Sequence, residues 1–543
     1  MLSIDQNCHS LWDTIPKLQA VARRERGIVH WVEDVDVAYT SLGASVGEQQ
    51  LQLIRERYHW SGGADWGAAL FYSDFLGKQV MDPRTWEPYT GRKTKVLARQ
   101  LGLSLEAFYD QYSPGDNWQL VGSSYVGDKQ HHQVLRDLQV DPVAPFLREL
   151  LRHAMEDLTE RFPEKASRER IEGWFHREAA LLEKLLSDHA PQALVELYES
   201  WVRHHVPNGA DVRCSSEGFS CRKPMVDDGV LNLFLREYET LCRLYNDSIE
   251  ETEVSVRPLD VKRGEMPCFA MKRFQGHWVR IPVFLEEDVL RVDDETFPVG
   301  TSRTMPRMEM SQAGIKALSP KAILLVIQVR WGETGQPLIL PYQGSLYTPA
   351  SDRFLLKLRE ENLLQTPIHP ILRVRFHLFE RMRGLNTLVR LPSHWVPHFG
   401  ESEITADALS RGFFPAKEKA RERLERRKNP EERERCSRES FPQLWEAVQE
   451  LERKKQELGK QGAPKSEKRE VWEDLKAKNE ALLQKEAFQI YTDLQLLEMD
   501  YWDSRGGLMP WCIALGGESF YRDVLDRSEL YQEYPFAEEE VSS

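Results

Sequence analysis

The chain has 543 residues, 41% hydrophobic and 29% charged, a composition that suits a folded globular protein of several domains. Its 86 acidic and 72 basic residues leave a formal charge of −14, which argues against nucleic acid or an anionic membrane as the main partner. Seven scattered cysteines fit no disulfide framework, and no long apolar run or basic-then-apolar N-terminus is present, so the expectation is a cytoplasmic protein.

Leu11 to Arg26 places Leu11, Ile15, Leu18 and Ala22 on one helical face, ends at Gly27, and feeds the short apolar run Ile28–Val32. That strand runs directly into Glu33, Asp34, Val35 and Asp36. Three carboxylates so close together repel one another unless solvent, a metal or a cationic group joins them, which makes them candidate site residues. Ser61 to Gly67 is glycine-rich but has the spacing of neither a P-loop nor a dinucleotide fingerprint.

From Pro142 to Ile249 the pattern is helical, with one apolar stripe through Leu147, Leu150, Leu151 and Leu158 and another through Leu231, Phe234, Leu241 and Tyr245. His204, His205, Cys214 and Cys221 carry donors that zinc accepts, but their spacing fits no compact knuckle, so unliganded loop residues are the plainer reading. His394 and His398 share helical spacing, and Pro397 between them argues against a metal pair.

Val279–Phe284 reads as a strand. Ser319 followed by Pro320 reads as a helix start, and the run Lys321–Arg330 is apolar almost all round. Pro337–Pro341 reads as a buried strand, followed by the polar turn Tyr342, Gln343, Gly344, Ser345 and then a helix opened by Thr348 and Pro349. Ligands in open α/β sheets sit beyond the carboxyl ends of strands, so Gln343, Gly344 and Ser345 are candidate contacts. Leu372–Phe379 alternates, with Arg373, Arg375 and His377 on one face, suited to neutralising an anion.

Beyond Gly400 the texture changes. Lys417–Glu439 is densely charged and is expected to stay solvated. Phe441, Leu444, Val448 and Leu451, and then Leu483, Ile490, Leu494 and Leu497, recur at three- and four-residue steps on either side of a Gly/Pro interruption. That spacing predicts an antiparallel coiled-coil hairpin, with the two stripes facing each other. Trp445, Trp472 and Tyr501 lie off the stripes and suggest a further contact, expected to be a homodimer.

In this order the pieces resemble, distantly, the bacillithiol-synthesis cysteine-adding enzymes. Three places carry the resemblance: Ser3–Gln6, where Gln6 matches the family's first turn; Trp31 with Glu33, Asp34 and Asp36; and Ser319, Pro320 with Tyr342–Ser345 and Tyr347. The family's histidine is Val35 here, and the glutamate and most glycines of its second turn are missing. The resemblance implies an α/β, Rossmann-like core with helical insertions and a C-terminal coiled-coil hairpin that makes a dimer. On that reading residues 1–125 and 261–400 form the core halves, 126–260 a mainly helical insertion, 401–503 the hairpin and 504–543 a tail. It implies a ligase adding cysteine to a small acidic sugar conjugate, with ATP or ADP as the candidate cofactor. Asp34 and Asp36 would be catalytic, and Gln6, Glu33, Ser319, Gln343, Gly344, Ser345 and Tyr347 would bind substrate, with no resident metal. An inactive dimeric scaffold and a different small-molecule transferase are the competing expectations.

Overall fold

The computed structural model describes residues 1–5, 11–37, 51–55, 83–112, 118–122, 125–127, 130–189, 193–206, 209–254, 256–342, 345, 347–498 and 507–535. The glycine-rich 61–67, Gln6, Gln343, Gly344 and Tyr501 lie outside them.

Six strands form one sheet: β1 (Leu2–Asp5), β2 (Ile28–Val32), β3 (Ala210–Cys214), β4 (Leu338–Pro341), β5 (Ile371–Arg375) and β6 (Glu529–Glu533), in the spatial order β6-β5-β4-β1-β2-β3. β1 to β5 are parallel and β6 runs antiparallel to β5. β2 and β4 are nearly continuous apolar runs because both of their faces are covered. Alternation splits their side chains between two cores. Ile28, Val32, Ile339, Leu372 and Val374 face a helical layer containing helix α1 (Leu11–Ala22), while Leu2, Ile4, Trp31, Leu338 and Leu340 face Leu325, Val326 and Val329.

The segment expected to be a helical insertion does more than insert. Its helices α2 (Val140–Arg161), α3 (Lys165–His189) and α4 (Leu194–His205) build the α1-side layer, and it then supplies β3 to the sheet itself.

A second, antiparallel sheet is made by Glu265–Phe274, His277–Glu286, Val289–Val292, Glu295–Pro298 and Ala317–Pro320, joined by His132–Gln133. This overturns the helix start at Ser319. Ser319 is buried in a strand opposite Phe269, and the helix begins three residues later, Ala322–Gln328, with Lys321 as its cap. Strand pairing wins because Leu318 is fully buried in the core of the antiparallel sheet and Ala317 in the cluster with Trp31 and Leu325, a gain that a single capping hydroxyl does not match.

The C-terminal helices are α5 (Ala406–Lys428), α6 (Pro430–Ser440), α7 (Pro442–Lys460), α8 (Lys465–Glu498) and α9 (Leu508–Asp526). Thr405 and Asn429 cap α5 and α6 by accepting from Ala408 N (3.1 Å) and Glu431 N (2.9 Å). α7 and α8 form the expected long helix pair, but with a different seam. Val448, Leu444 and Leu451 meet Leu475 and Leu482, whereas Ile490 and Leu494 pack with Trp86, Leu97, Phe108, Tyr112 and Leu424. The cause is length. α7 has 19 residues and α8 has 34, so the far part of α8 outruns its partner and buries its stripe elsewhere.

Lys417–Glu439 stays solvated on one face only. Lys417, Ala420, Leu424 and Arg427 are buried, and Arg423 pairs with the fully buried Asp493 of α8 (3.0 Å). Residues 507–535 of the segment expected as a tail join the core: α9 packs against α1 and α3, and β6 pairs with β5. Among the described residues no helix is long and apolar enough to cross a membrane.

Trp86 is 1% exposed among Phe108, Tyr112 and Tyr491. Trp86→Ala is therefore expected to cost about 3–5 kcal/mol in chemical denaturation, with hydrogen exchange rising first in 86–112 and the end of α8.

Candidate functional site

The strand order reverses beside β1. Its neighbours run to β2 and β3 on one side and to β4 and β5 on the other. In open α/β sheets the ligand crevice lies at the carboxyl ends of the strands at such a reversal. Asp5 ends β1, Glu33 and Asp34 follow β2, Ser215 and Ser216 follow β3, and Tyr342 follows β4.

Asp5 is the best-held of these groups. Thr14 Oγ1 donates to it at 2.6 Å and Tyr198 OH at 3.3 Å, Lys17 Nζ lies at 3.2 Å and His30 Nε2 at 3.0 Å. Burial alone would push its pKa up, but Lys17, then His30 and Thr14, outweigh that and hold it well below the usual carboxylate range.

Asp34 is fully buried and acts as a fastener. It accepts from Ser215 Oγ (3.0 Å), Ser216 N (2.7 Å) and Ser216 Oγ (2.6 Å), which ties the end of β2 to the end of β3. Asp36 accepts from Arg280 Nη1 at 2.6 Å and from Val37 N at 2.8 Å. Arg280 belongs to the second sheet, where its guanidinium also stacks on Phe269 at 4.5 Å, so Asp36 bridges the two sheets. Both aspartates thus have their charge or lone pairs committed to the protein.

Glu33 does not. It is 3% exposed, its Oε1 accepts from Val35 N at 3.3 Å, the Ser215 hydroxyl lies close enough to draw its pKa back a little, and its Oε2 has no hydrogen-bond partner among the described residues. Burial first, and then the charges of Asp36 and Asp34, push its pKa up to about 8. A carboxyl that gains and loses its proton near neutral pH, beside a strand end at the sheet's reversal, can transfer a proton.

Cations frame the cluster. Arg136 Nη1 donates to Cys214 Sγ at 3.0 Å and lies 3.6 Å from Asp34 Oδ2, and Cys214 in turn donates to Glu199 Oε1 at 3.0 Å. Burial, then Asp34 and Glu199, drive the Cys214 thiol well up, so it stays protonated. Lys316, 5.3 Å from the Trp278 ring, is pulled down by burial and by Arg136.

The β4 turn contributes less than its sequence suggested. Ser345 adopts φ +63°, and its carbonyl accepts from Thr348 N (3.2 Å) to open the helix Thr348–Glu360. Its buried Oγ has no hydrogen-bond partner among the described residues, which leaves one polar atom at this edge for a ligand. Tyr347 caps that helix through its carbonyl, which accepts from Ser351 Oγ at 2.9 Å. Ser319 lies in the other sheet.

The basic face of β5 meets carboxylates of the protein's own last strand. Arg373 Nε pairs with Glu533 at 2.7 Å and Arg375 stacks on Tyr342 at 4.6 Å; the alternation expected through Phe379 stops at Arg375, and His377, with φ +54°, precedes the short helix Leu378–Arg381 with its Nε2 2.9 Å from Glu529.

The possible zinc donors are dispersed, and among the described residues no group of three or more metal-binding side chains gathers. His205 pairs with Glu178 at 3.1 Å before β3 begins, Cys214 ends that strand, and Cys221 sits against the second sheet. His398 Nε2 is spent on the Thr492 carbonyl at 3.0 Å.

Sequence reading passed over Asp5, Lys17, His30, Arg136 and Arg280. Only His30 left a signal, as a polar residue inside the apolar run Ile28–Val32. Comparison of the chain with known protein families, with curated proteins and with solved structures found no match.

Glu33 makes a titration prediction. In the unfolded chain it binds its proton near 4.5, and in the folded chain near 8. Between these values the folded state holds the extra proton. Its stabilising contribution is complete below the unfolded value and is lost as pH rises through the folded one, with a slope of at most about 1.4 kcal/mol per pH unit. Glu33→Gln is expected to flatten the fall in unfolding free energy from about pH 5 to 8 and to stabilise the protein at the alkaline end, as read by denaturant titration at each pH.

Proposed function

We propose that the chain is an enzyme with a Rossmann-like core whose reaction site is the carboxyl edge of the parallel sheet, and that it joins an amino acid to a small acidic sugar conjugate, the reaction class of the cysteine-adding enzymes it resembles. The observation that carries this reading is Glu33: buried, half unpartnered and titrating near neutral pH at a strand end beside the reversal. An amine arrives as an ammonium and cannot attack a carbonyl carbon until it loses a proton. Its positive charge entering the cluster favours the ionised form of Glu33, which then accepts the amine's proton; as the C–N bond forms, the acyl C–O bond breaks and its oxygen leaves with a proton as water, or with the activating group where the carboxyl arrives already activated. Asp36 and Arg280 fix the wall against which the amine docks, and Arg136 and Lys316 suit the acidic partner.

The nucleotide expectation fits less well. β1 ends in Asp5, and Gln6–Ser10, which follow it, contain no glycine, so no glycine-rich turn is available there to cradle phosphates. No step is therefore assigned to ATP or ADP.

A second reading, an inactive scaffold, is favoured by one observation: Asp34 and Asp36 are occupied by Ser215, Ser216 and Arg280. Incubation with cysteine and glucosaminyl-malate, with and without ATP, followed by mass spectrometry for the condensed product, separates the two. Product is expected, with kcat reduced by about 10²–10⁴ in Glu33→Gln at an unchanged fold. No product from the wild-type chain under either condition leaves the scaffold reading standing.

In either case we place homodimerisation on the α7–α8 hairpin, supported by the exposure of Trp472 (50%) and Phe488 (42%) on α8. Light scattering at tens of micromolar is expected to give twice the chain mass of 63.2 kDa, and Trp472→Glu to shift it toward one chain. A single-chain mass for the wild type refutes the dimer.

A further inference from the structure

Away from the parallel sheet, a cleft lies where the segment 86–112 meets the C-terminal helices. Tyr89 to Arg92 and Leu97 form one wall, and α5, α6, α7 and α8 the others, around a volume of about 340 Å³. That size lies at the lower end of the range of small-molecule sites.

Three guanidiniums line this cleft, those of Arg92, Arg427 and Arg433. The acceptors that two of them find are neutral. Arg433 Nε donates to the Arg427 carbonyl at 3.0 Å and its Nη2 to the Pro88 carbonyl at 3.3 Å. Arg427 is 1% exposed; its Nη2 donates to Gln489 Oε1 at 2.8 Å, and its Nε has no hydrogen-bond partner among the described residues. Other arginines of α5 are matched to carboxylates: Arg423 holds Asp493 at 3.0 Å, and Arg426 holds Glu432 at 3.1 Å and Glu439 at 3.0 Å. Two carboxylates line the cleft against its three guanidiniums. Glu486 accepts from Ser437 Oγ, and Glu434 is exposed at the rim.

The guanidiniums feel one another. Burial first, and then the charges of Arg92 and Arg427, push the pKa of Arg433 down. Gly91 makes this approach possible. With φ +64° it ends the short helix Glu87–Thr90, and a Cβ there would collide with Arg433 Nη1. Like charges held together by carbonyls and an amide, one of them buried, are costly until an anion joins them.

We infer that this cleft binds a small phosphate monoester, its phosphoryl oxygens on Arg92, Arg427 and Arg433 and its organic body against Tyr89 and Trp445. A phosphoryl group offers three oxygens to three forked donors, where a carboxylate offers two. The site is independent of the reaction proposed at the carboxyl edge, because no residue is shared between them.

Calorimetric titration of the full chain with phenyl phosphate, inorganic phosphate and benzoate tests it. Phenyl phosphate is expected to bind, and the other two about tenfold more weakly, since each lacks either the ring or the third oxygen. The Arg92 side chain is half-buried and makes no ion pair among the described residues, so R92Q should keep the wild-type Tm and weaken phenyl phosphate about tenfold. R433Q should weaken it at least as much, and Glu33→Gln should leave it unchanged. The inference is overturned by an absence of phenyl phosphate binding up to ~5 mM, by benzoate binding as tightly, or by R92Q binding phenyl phosphate as the wild type does. Inorganic phosphate binding as tightly as phenyl phosphate overturns the monoester in favour of the free ion.

Discussion

A carboxylate with no water around it must be surrounded by donors, and Asp5 is surrounded by four, each from a different stretch of chain or a different turn of helix. Thr14 and Lys17 come from α1, His30 from β2 and Tyr198 from α4. Ser3 and Asp5 project from β1 toward the α1-side layer, which elsewhere is apolar, and His30 Nδ1 lies 3.1 Å from Ser3 Oγ. Removing Lys17 leaves the buried carboxylate short of its cation, a larger penalty than the loss of one neutral hydrogen bond from Thr14 or Tyr198. The constraint therefore sets the relative position of β1, β2 and the two helices covering them, and through β1 the point where the sheet reverses.

From that point the cluster after β2 is organised by what stands opposite it. The antiparallel sheet approaches with Arg280, and the two bodies are joined through Asp36 and through Asp137, which accepts from Trp278 N at 2.7 Å and lies 2.8 Å from His277 Nδ1. Asp34 meanwhile closes onto Ser215 and Ser216. Burial first, and then the neighbouring Asp36 and Asp34, hold the Glu33 carboxyl above its ordinary value and leave it as the proton-holding member. Its property belongs to no single residue. It follows from packing three acids into a seam that supplies cations to only two.

The C-terminal third is equally bound to the rest. An exposed β5 would leave a row of unpaired backbone groups, and β6 returns from beyond α9 to cover it, bringing Glu529 and Glu533 to the basic face of that strand. α8 gives part of its length to α7 and part to residues 86–112, so it joins the helix pair to a segment early in the chain.

Local pattern was enough to show α1, β2, β4 and the α7–α8 pair, because hydrophobic periodicity and turn residues act over a few positions. It also marked Glu33, Asp34 and Asp36 as a group, since like charges in one short stretch are visible without a partner. What each acid does was not visible, because Ser215, Ser216 and Arg280 lie some 180 to 245 positions away. Ser319 shows the same limit: Ser-Pro before an apolar run is a good local helix start, yet pairing with a distant strand decided its state. Periodicity likewise identified the stripe of Ile490 and Leu494 but not its partner, which depends on how long the neighbouring helix is. The sequence by itself thus determined most of the segments that are helical or extended and which of their faces must be buried. The tertiary structure alone decided what those faces and charges meet, because that depends on contacts between residues far apart in the chain, whose energies are set by burial and charge rather than by local spacing.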